Sequence, residues 1–289
     1  MHIENKMRRS IWIFSILVFV TLDLVGVSGS NISQEVSITY GTDKRAKFLD
    51  GGLTLSLSLD NFSGSGFQSN NEYLFGRFDI RMKLVPGNSA GTVATFYLSS
   101  QGPAHDEVDF EFLGNASGQP YTLSTNVYSQ GKGNREQQFR LWFDPTIAYH
   151  TYTIVWNPQN IIFLVDNIPI RIFVNKEARG VPFPNNQPMK IYGTLWDAED
   201  WATQGGRVKT DWSNQPFTIY YQNFDPVGCV VPAQPGSPPC NPTWQPHDLD
   251  PKGRNLIRWA QQKSMIYNYC VDRVRFPRHR PRECRGTRF

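Results

Sequence analysis

The feature that most constrains the fold is an alternation of apolar and polar residues from Gly51 to about Phe224, clearest in LTLSLSL at residues 53–59. A period of two is typical of strands with one buried face, because successive side chains point to opposite sides of a sheet. Turn residues separate the runs, including an Asp166-Asn167 link that suits a hairpin. Many short strands without intervening helices predict an antiparallel all-β sandwich or barrel. Further predicted strands span residues 78–84, 92–98, 121–128, 137–143, 152–156, 161–165, 168–173, 190–196 and 217–224.

The chain changes character after Cys229, because five prolines fall within residues 232–242. Proline lacks a backbone N–H, so this segment is not expected to contain a long central strand. Residues 252–263 then have a modestly helical pattern. We therefore expect residues 30–225 to form the β-domain and residues 226–289 to form a C-terminal extension packed on it.

Residues 1–29 have the pattern of a secretory signal peptide. Three basic residues precede an apolar run from Ile11 to Leu24, and small residues follow it. A signal anchor is the alternative, but Asp23 interrupts the run, which is shorter than the roughly 20 apolar residues of a membrane span. We expect cleavage near Ser28 or Gly29, and a secreted protein that is not held in a membrane.

Secretion predicts that the four cysteines form disulfides, because an oxidising compartment favours them. Three pairings are possible, and the order along the chain favours Cys229 with Cys240 and Cys270 with Cys284. Neither spacing is typical of a zinc site, and we expect no metal or cofactor. Export also makes three N-x-S/T sequons candidate glycosylation sites, at Asn31, Asn61 and Asn115.

Charge is distributed unevenly along the chain. Residues 252–289 hold eleven Lys and Arg residues but two acidic residues, a net charge of +9. The whole chain carries +4 and residues 1–29 contribute +1, so residues 30–251 carry −6. An acidic body is not typical of a nucleic-acid-binding domain, in which a basic face dominates. The basic tail is either a solvated end or a surface for an acidic polymer such as pectin.

The strongest chemical signal is the segment HDEVDFEFLGN at residues 105–115. As a strand, it places Glu107, Asp109 and Glu111 on one face, together with His105. Like charges on one face of a sheet repel each other, so a row of three carboxylates requires a reason. A solvated acidic edge and a calcium site are the alternatives, but the opposite face is apolar enough to indicate a core strand. That face carries Asp106, Val108, Phe110 and Phe112.

Two carboxyl groups on one surface are the machinery of retaining glycoside hydrolysis, in which they lie about 5 to 5.5 Å apart. Residues i and i+4 of a strand have Cα atoms about 13 Å apart, so Glu107 and Glu111 must lean towards each other. Asp109 lies midway and can hydrogen-bond to either neighbour, which keeps one Glu neutral while the other stays ionised. A double displacement requires that division of roles.

Five segments carry a resemblance to a known family. They are HDEVDFEFLGN, STNVY at residues 124–128, GKGNREQQFRLWFDPT at 131–146, LWDAEDWATQGGRVKTDW at 195–212 and IYNYCVDRVRFP at 266–277. Together they resemble the plant xyloglucan endotransglucosylase/hydrolases of glycoside hydrolase family 16, over nearly the whole mature chain. The resemblance implies a concanavalin/legume-lectin-like jelly-roll sandwich with a concave cleft. It also implies a disulfide between Cys270 and Cys284, a feature of the plant branch.

The resemblance implies roles for individual residues. Glu107 matches the nucleophile, Asp109 the assisting carboxylate and Glu111 the acid/base, which also contacts the substrate. Asn115 matches the family's glycosylation site. Many members have Gln where Ser124 stands, and residues 230–239 contain more proline than is typical. The residues that match xyloglucan contacts are Ser124, Thr125, Asn126, Asn134, Arg135, Glu136, Trp201, Ala202, Gly206 and Arg275.

A neutral glucan offers hydroxyl groups and apolar ring faces, so its recognition rests on stacking and hydrogen bonds. Tyr128, Trp196 and Trp201 are candidate platforms. A single aromatic residue is more often part of the core, but the polar neighbours of Trp201 favour exposure. Arg135 and Glu136 are either an ordinary surface ion pair or part of a binding subsite.

These observations predict a monomeric enzyme of the apoplast and cell wall that cuts xyloglucan and passes the fragment to another xyloglucan chain or oligosaccharide. A predominantly hydrolytic enzyme and a lectin-like binding module are the alternatives. Transfer is favoured because the loop from Ser129 to Arg135 is compact, whereas the resemblance associates longer loops with hydrolysis. Trp201, Gly206 and Arg275 are expected on the acceptor side with this loop.

Overall fold

The computed structural model describes residues 30–42, 44–232 and 249–285. The predicted signal segment and Cys240 lie outside the described residues. The helices are α1 (Ile32–Glu35) and α2 (Pro251–Ser264), and short 3-10 turns occur at Asp50–Gly52, Glu177–Arg179, Trp212–Asn214, Tyr269–Val271 and Arg282–Cys284. The strands are β1 (Val36–Tyr40), β2 (Ala46–Leu49), β3 (Thr54–Leu59), β4 (Ser65–Ser69), β5 (Glu72–Lys83), β6 (Thr92–Ser99), β7 (Glu107–Leu113), β8 (Thr122–Tyr128), β9 (Gln137–Phe139), β10 (His150–Trp156), β11 (Asn160–Val165), β12 (Ile168–Val174), β13 (Lys190–Asp197), β14 (Phe217–Val231) and β15 (Met265–Asn268).

The strands form two antiparallel sheets with one apolar core. The eight-stranded sheet has the order β1-β4-β13-β6-β7-β8-β9-β15, and the seven-stranded sheet has the order β12-β11-β10-β5-β14-β3-β2. Aromatic side chains from both sheets meet in the core: Phe110 of β7 packs edge-on against Phe163 of β11, and Phe112 packs edge-on against Tyr152 of β10. The predicted all-β sandwich is confirmed.

Two strands differ from the bounds that the sequence predicted. β14 runs past Phe224 to Val231, through Pro226. Its pairing with β3 ends at Gln222, so Pro226 lies where the strand pairs only with β5, as suits a residue without a backbone N–H. β9 ends at Phe139, and the next backbone N–H, that of Arg140, donates to the carbonyl of Ser264 at 2.7 Å.

The C-terminal segment contributes to both layers of the fold. The helix predicted over residues 252–263 is confirmed as α2, which begins after Asp250, whose side chain accepts a hydrogen bond from the N–H of Gly253. Ile257 and Ala260 of α2 are buried, and β15 pairs with β9 in the eight-stranded sheet. Within the described part of the chain, neither helix has the length and apolar composition to span a membrane.

One of the two predicted disulfides lies entirely within the described residues. Cys270 and Cys284 are joined, with Cα atoms 5.6 Å apart, which confirms that pairing and excludes a bond between Cys229 and Cys270. Cys229 is itself disulfide-bonded, but Cys240 lies outside the described residues. The Cys270–Cys284 bond closes a loop that carries five exposed arginines, Arg273, Arg275, Arg278, Arg280 and Arg282.

Candidate active site

The carboxylate strand is β7, at the centre of the eight-stranded sheet between β6 and β8. Val108, Phe110 and Phe112 are fully buried between the sheets. Glu107, Asp109 and Glu111 line a cleft of about 970 Å³ on the other side of this sheet. The predicted separation of β7 into an apolar and an acidic face is therefore confirmed.

The neighbouring strands surround the three carboxylates with uncharged groups. Glu107 lies opposite Ser99 and Tyr128, Asp109 opposite Tyr97 and Asn126, and Glu111 opposite Thr95 and Ser124. Direct like-charge pairs across the strands are therefore absent, and hydroxyl and amide groups are in reach of each carboxylate.

Asp109 is the most deeply buried of the three carboxyl groups. Burial, followed by the charges of Glu107 and Glu111, raises the pKa of Asp109 well above its usual range. A protonated Asp109 donates a hydrogen bond to Glu107, and this bond acts to lower the pKa of Glu107. Asp109 is therefore arranged to keep its proton and to stabilise the charged form of Glu107.

Glu107 and Glu111 have different environments. Burial raises the pKa of Glu107, but hydrogen bonds from Ser99 and Asp109 and the charge of His105 act in the opposite direction. Burial raises the pKa of Glu111 to about 7, with a smaller opposing contribution from its hydrogen bond to Ser124. At weakly acidic pH, Glu111 therefore holds a proton while more of Glu107 is ionised.

His105 lies at the start of the acidic face, as the alternation predicts. Its Nδ1 is 2.7 Å from the carbonyl oxygen of Gly102, so Nδ1 carries a proton. Its Nε2 is 3.9 Å from a carboxylate oxygen of Glu107. A protonated imidazole at this distance favours the charged form of Glu107.

Aromatic side chains form much of the cleft surface. Trp196 of β13 and Trp201, in the following loop, have ring centroids 6.0 Å apart. Trp201 is 42% exposed, so one ring face is available to a ligand. Tyr97 and Tyr128 also line the cleft. Within the described ranges, His, Cys, Asp and Glu side chains form no group of three that could hold a metal ion.

A second polar group lies where β9 and β15 meet the cleft. Arg275 forms an ion pair with Glu136 at 2.6 Å and also donates to the side-chain oxygen of Asn134. Glu136 and Arg275 line the cleft beside Tyr267, and the charge of Glu136 contributes to the raised pKa of Glu111. Glu136 thus forms its ion pair with Arg275. The alternative prediction of an ion pair between Arg135 and Glu136 was wrong.

Arg135 and Thr125 point away from the cleft. The guanidinium of Arg135 pairs with Glu283 at 2.9 Å and donates to the carbonyl groups of Val127 and Lys132. The hydroxyl of Thr125 donates to the carbonyl of Gln137 and is fully buried. Both side chains stabilise the β8–β9 connection and neither lines the cleft, so their assignment as substrate contacts stays a prediction.

Ala202 and Gly206 shape the loop that carries Trp201 and do not themselves line the cleft. Ala202 is buried in a small apolar cluster with Val93. Gly206 has φ +82°, and an added Cβ would lie 2.1 Å from the carbonyl oxygen of Asp200. Only glycine fits this close approach, so Gly206 acts on the site through the position of Trp201.

The remaining expected contacts, Ser124 and Asn126, line the cleft. The side-chain oxygen of Asn126 accepts hydrogen bonds from the backbone N–H groups of Val127 and Arg135, which fixes its orientation. Asn115 follows the end of β7, and its side-chain amide donates to the carbonyl of Pro120. Asn115 is partly exposed at the end of the strand, outside the residues that line the cleft.

Sequence reasoning missed Arg171, which is 1% exposed in the core behind the cleft. It crosses from β12 to donate to the carbonyl groups of Thr125 at 2.7 Å and Arg135 at 2.6 Å. Burial lowers the pKa of Arg171 to about 10, and its charge favours the ionised form of Asp109. The available signal was an arginine within the apolar run IPIRIFV.

Comparison with known proteins assigns the chain to a family. Residues 32–214 match the sequence profile of "Glycosyl hydrolases family 16", and residues 238–284 match "Xyloglucan endo-transglycosylase (XET) C-terminus". The chain belongs to glycosyl hydrolase family 16. This confirms the resemblance that the carboxylate strand and the flanking segments carry.

The family 16 chain also has close relatives over nearly its whole length. It is 57% identical over 285 residues to "Xyloglucan endotransglucosylase protein 1" of Diospyros kaki, with 96% of each chain covered. It is 56% identical over 282 residues to "Probable xyloglucan endotransglucosylase/hydrolase protein 16" of Arabidopsis thaliana, which covers 94% of this chain and 96% of the relative. Within family 16, the chain therefore groups with the plant xyloglucan endotransglucosylase/hydrolases.

A solved structure supports the fold of this family 16 chain. "Crh5 transglycosylase in complex with NAG" has a TM-score of 0.56 at 24% sequence identity, covering 71% of this chain and 82% of the other. At this identity the likeness supports the shared sandwich and not a shared substrate.

Proposed function

We propose that the protein cleaves the β-1,4-glucan backbone of xyloglucan with retention of configuration and transfers the new end to another xyloglucan chain. One observation carries the proposal. Three carboxyl groups lie in a row on one strand, and their surroundings raise the pKa of Glu111 to about 7, whereas hydrogen bonds from Ser99 and Asp109 partly offset the effect of burial on Glu107. The xyloglucan-related names of the relatives support the choice of substrate.

In the first step, Glu107 attacks the anomeric carbon of the donor chain while Glu111 donates its proton to the departing glycosidic oxygen. The glycosidic bond breaks, its electron pair stays with the leaving oxygen, and an ester forms between the donor chain and Glu107. Asp109 hydrogen-bonds to Glu107 and stabilises the carboxylate before the attack. The environment of Glu111 suits its role, because its pKa of about 7 keeps the acid form populated at weakly acidic pH.

In the second step, Glu111 removes a proton from an incoming hydroxyl group, whose oxygen attacks the anomeric carbon. The ester bond to Glu107 breaks and the carboxylate leaves. Two inversions restore the original configuration. When the hydroxyl belongs to a sugar the result is transfer, and when it belongs to water the result is hydrolysis.

The open cleft suits a neutral polymer. Tyrosine and tryptophan rings provide stacking surfaces, and Ser124, Asn126 and Gln138 provide polar groups along the same wall. The one Arg side chain at the cleft, among the described residues, pairs with Glu136. Recognition therefore rests on ring faces and hydroxyl groups.

We assign the acceptor to the end of the cleft near Glu111. Trp196 of β13 pairs with Val93 of β6, and Val93 pairs with Leu113 of β7. Leu113 follows Glu111 by two residues, so Trp196 lies beyond the Glu111 end of the carboxylate row. Trp201 packs on Trp196, so its exposed face lies towards this end. Transfer competes with water only when the acceptor hydroxyl is held in the attacking position. Trp201 and the Glu136–Arg275 pair are the groups that hold it.

The loop at residues 129–134 supports this arrangement because it is tightly held. The backbone N–H of Gln130 donates to the side chain of Asp106 at 2.9 Å, and that of Gly131 donates to the carbonyl of His105 at 2.7 Å. The loop is therefore anchored to the chain immediately before the carboxylates. The loop therefore lies at the Glu107 end of β7 and leaves open the Glu111 end of the cleft, where we place the acceptor.

The same chemistry serves a predominantly hydrolytic enzyme, and the same cleft serves a lectin-like module without turnover. Incubation of the protein with xyloglucan and a fluorescent xyloglucan oligosaccharide separates the three. Transfer moves the label into polymer of broad size range with little gain in reducing ends. A hydrolytic enzyme produces reducing ends at the same rate with the oligosaccharide as without it. If the chain length of xyloglucan does not change, the protein is a binding module without turnover. Trp201→Ala is expected to lower label incorporation and to raise the share of hydrolysis.

We propose in addition that the protein is a secreted monomer of the apoplast and cell wall. The signal pattern of residues 1–29 and the disulfide Cys270–Cys284 fit an oxidising compartment. Asn115 is the glycosylation site that the family resemblance implies. Digestion of the secreted protein with a glycosidase that removes N-linked glycans, followed by peptide mapping, tests occupancy at Asn115, Asn31 and Asn61.

A further inference from the structure

Outside the cleft, five cationic residues lie near one another between the end of β12 and the C-terminal loop. We call this group the basic surface. Lys176 donates to the carbonyl oxygens of Glu283 at 2.7 Å and Arg285 at 2.9 Å, and the guanidinium of Arg282 lies against Gly180. The members of the basic surface are Lys176, Arg179, Arg280, Arg282 and Arg285.

The charges of the basic surface are not neutralised by ion pairs with carboxylates in the described residues. Glu283, the nearest acidic neighbour in sequence, pairs with Arg135. Glu177 accepts hydrogen bonds from the amides of Asn175 and Asn185. Burial first, and then the charge of Arg179, lower the pKa of Lys176, with a smaller opposing contribution from the charge of Glu283. An external anion would relieve this crowding.

The basic surface is held in place by the fold. The disulfide Cys270–Cys284 closes its loop, and the Nε of Arg280 donates to the carbonyl of Cys270 at 2.8 Å. Arg179, Arg282 and Arg285 are exposed residues. Binding therefore requires little ordering of the backbone, and the planar guanidinium forks match carboxylates in a bidentate manner.

We propose that the basic surface binds a linear acidic polysaccharide whose sugars carry carboxylates, and so holds the enzyme on the charged polymers that surround its neutral substrate. The wall location on which this choice of polymer rests belongs to the proposed function. The charge of the rest of the protein favours a narrow anionic polysaccharide over nucleic acid as the ligand. Residues 30–251 carry a net charge of −6, which repels a wide polyanion.

The direct test measures binding of the full-length secreted protein to polygalacturonate and to the same polymer after complete methyl esterification. Esterification removes the charge and leaves the chain in place. We expect binding to polygalacturonate that weakens as salt rises, and little binding to the ester. Equal binding to both polymers would overturn the proposal, as would tighter binding to a single-stranded RNA of similar length.

Two double variants locate the contact. Arg179→Gln with Arg282→Gln removes two charges from the basic surface, and Lys47→Gln with Lys83→Gln removes two from the seven-stranded sheet. We expect the first to weaken binding by about tenfold and the second by less than about twofold. Both should retain xyloglucan transfer, which also reports that they fold. An equal loss in the two variants would mean that net charge alone drives binding.

The result is separable from that of the proposed function. Glu107→Ala should bind polygalacturonate as tightly as the unmodified protein while its transfer activity is lost. Failure to act on xyloglucan with intact polygalacturonate binding contradicts only the proposed function. Transfer without polygalacturonate binding contradicts only the proposal for the basic surface.

Discussion

The two faces of β7 differ in chemistry although their residues alternate along seven positions of one strand. On one face, Val108, Phe110 and Phe112 are fully buried in the sandwich core. On the other, Glu107 and Glu111 meet the cleft with Asp109 between them, whose raised pKa favours its protonated form. The apolar face stabilises the strand, which allows the acidic face to hold carboxyl groups that repel each other. Stability and chemistry should therefore respond separately to substitution.

The largest effect is expected from Glu107→Ala on the acidic face. Without the nucleophile no ester forms, and transfer from xyloglucan should fall by more than about 10⁴-fold. The melting temperature should not fall, because the change removes a carboxylate that burial disfavours. A label-transfer assay and a thermal scan on one preparation measure both quantities. Retained transfer would contradict the assignment of Glu107.

On the apolar face, Phe110→Ala should lower the free energy of unfolding by about 3 to 5 kcal/mol. The ring contacts Phe163 at 5.2 Å and Tyr152 at 5.9 Å between centroids, so truncation leaves a cavity between the sheets. Denaturant unfolding measures the loss. The fraction that remains folded should keep near-normal KM. A change in KM without a change in stability would mean that the two faces are not separate.

The pH dependence of the variant Glu111→Gln tests how much the acidic face costs in stability. The folded pKa of Glu111 is about 7 against an ordinary 4.5, so its contribution to stability is present below about pH 4.5 and is lost as pH rises through about 7. The cost reaches up to about 3 kcal/mol. Compared with the wild type, Glu111→Gln should gain stability between pH 5 and pH 8.

Thermal scans of Glu111→Gln and wild type at the two pH values measure this gain. A constant difference in melting temperature between the two proteins at pH 5 and pH 8 would show that Glu111 does not titrate in this range. Loss of the general acid should also slow transfer from xyloglucan by about 10² to 10⁴-fold. A substrate with an activated aryl leaving group should recover the first step.

The smallest effect is expected at Asp109. Asp109→Asn keeps a donor for Glu107 and should retain activity within about tenfold, whereas Asp109→Ala loses the bond and should cost about ten- to 100-fold. In Asp109→Ala the acid limb of the kcat/KM profile should move to higher pH, because the hydrogen bond that lowers the pKa of Glu107 is gone. Equal activity of the two variants would exclude this bond from catalysis.

The two faces of β7 could be predicted because they depend only on the sequence of that strand. The same signal predicted most strands of the sandwich, and the family resemblance placed Glu136, Trp201 and Arg275 at the cleft. The end of β9 could not be predicted, because residues 141–143 continue an apolar pattern whose Trp142 packs against Trp259 of α2. The sequence pattern therefore predicted a longer β9 than the structure has, because packing against α2 takes the residues after Phe139 out of the sheet.

The roles of individual arginines could not be predicted from local sequence either. Arg135 and Glu136 are adjacent, yet their ion partners are Glu283 and Arg275, both more than 130 positions away in the chain. Arg171 is hidden in an apolar strand and bonds to carbonyl groups of the opposite sheet. Such contacts depend on how the two sheets and the C-terminal segment meet.

The most direct test of the central claim is to trap the ester on the acidic face. A xyloglucan oligosaccharide with a fluorine at C2 of its reducing-end glucose and an activated leaving group should form the ester and release it slowly. Mass mapping of the digested protein should place one added sugar chain on Glu107, and addition of a xyloglucan oligosaccharide should speed its release as a transfer product. An adduct on Glu111, or rapid cleavage without any adduct, would contradict the account.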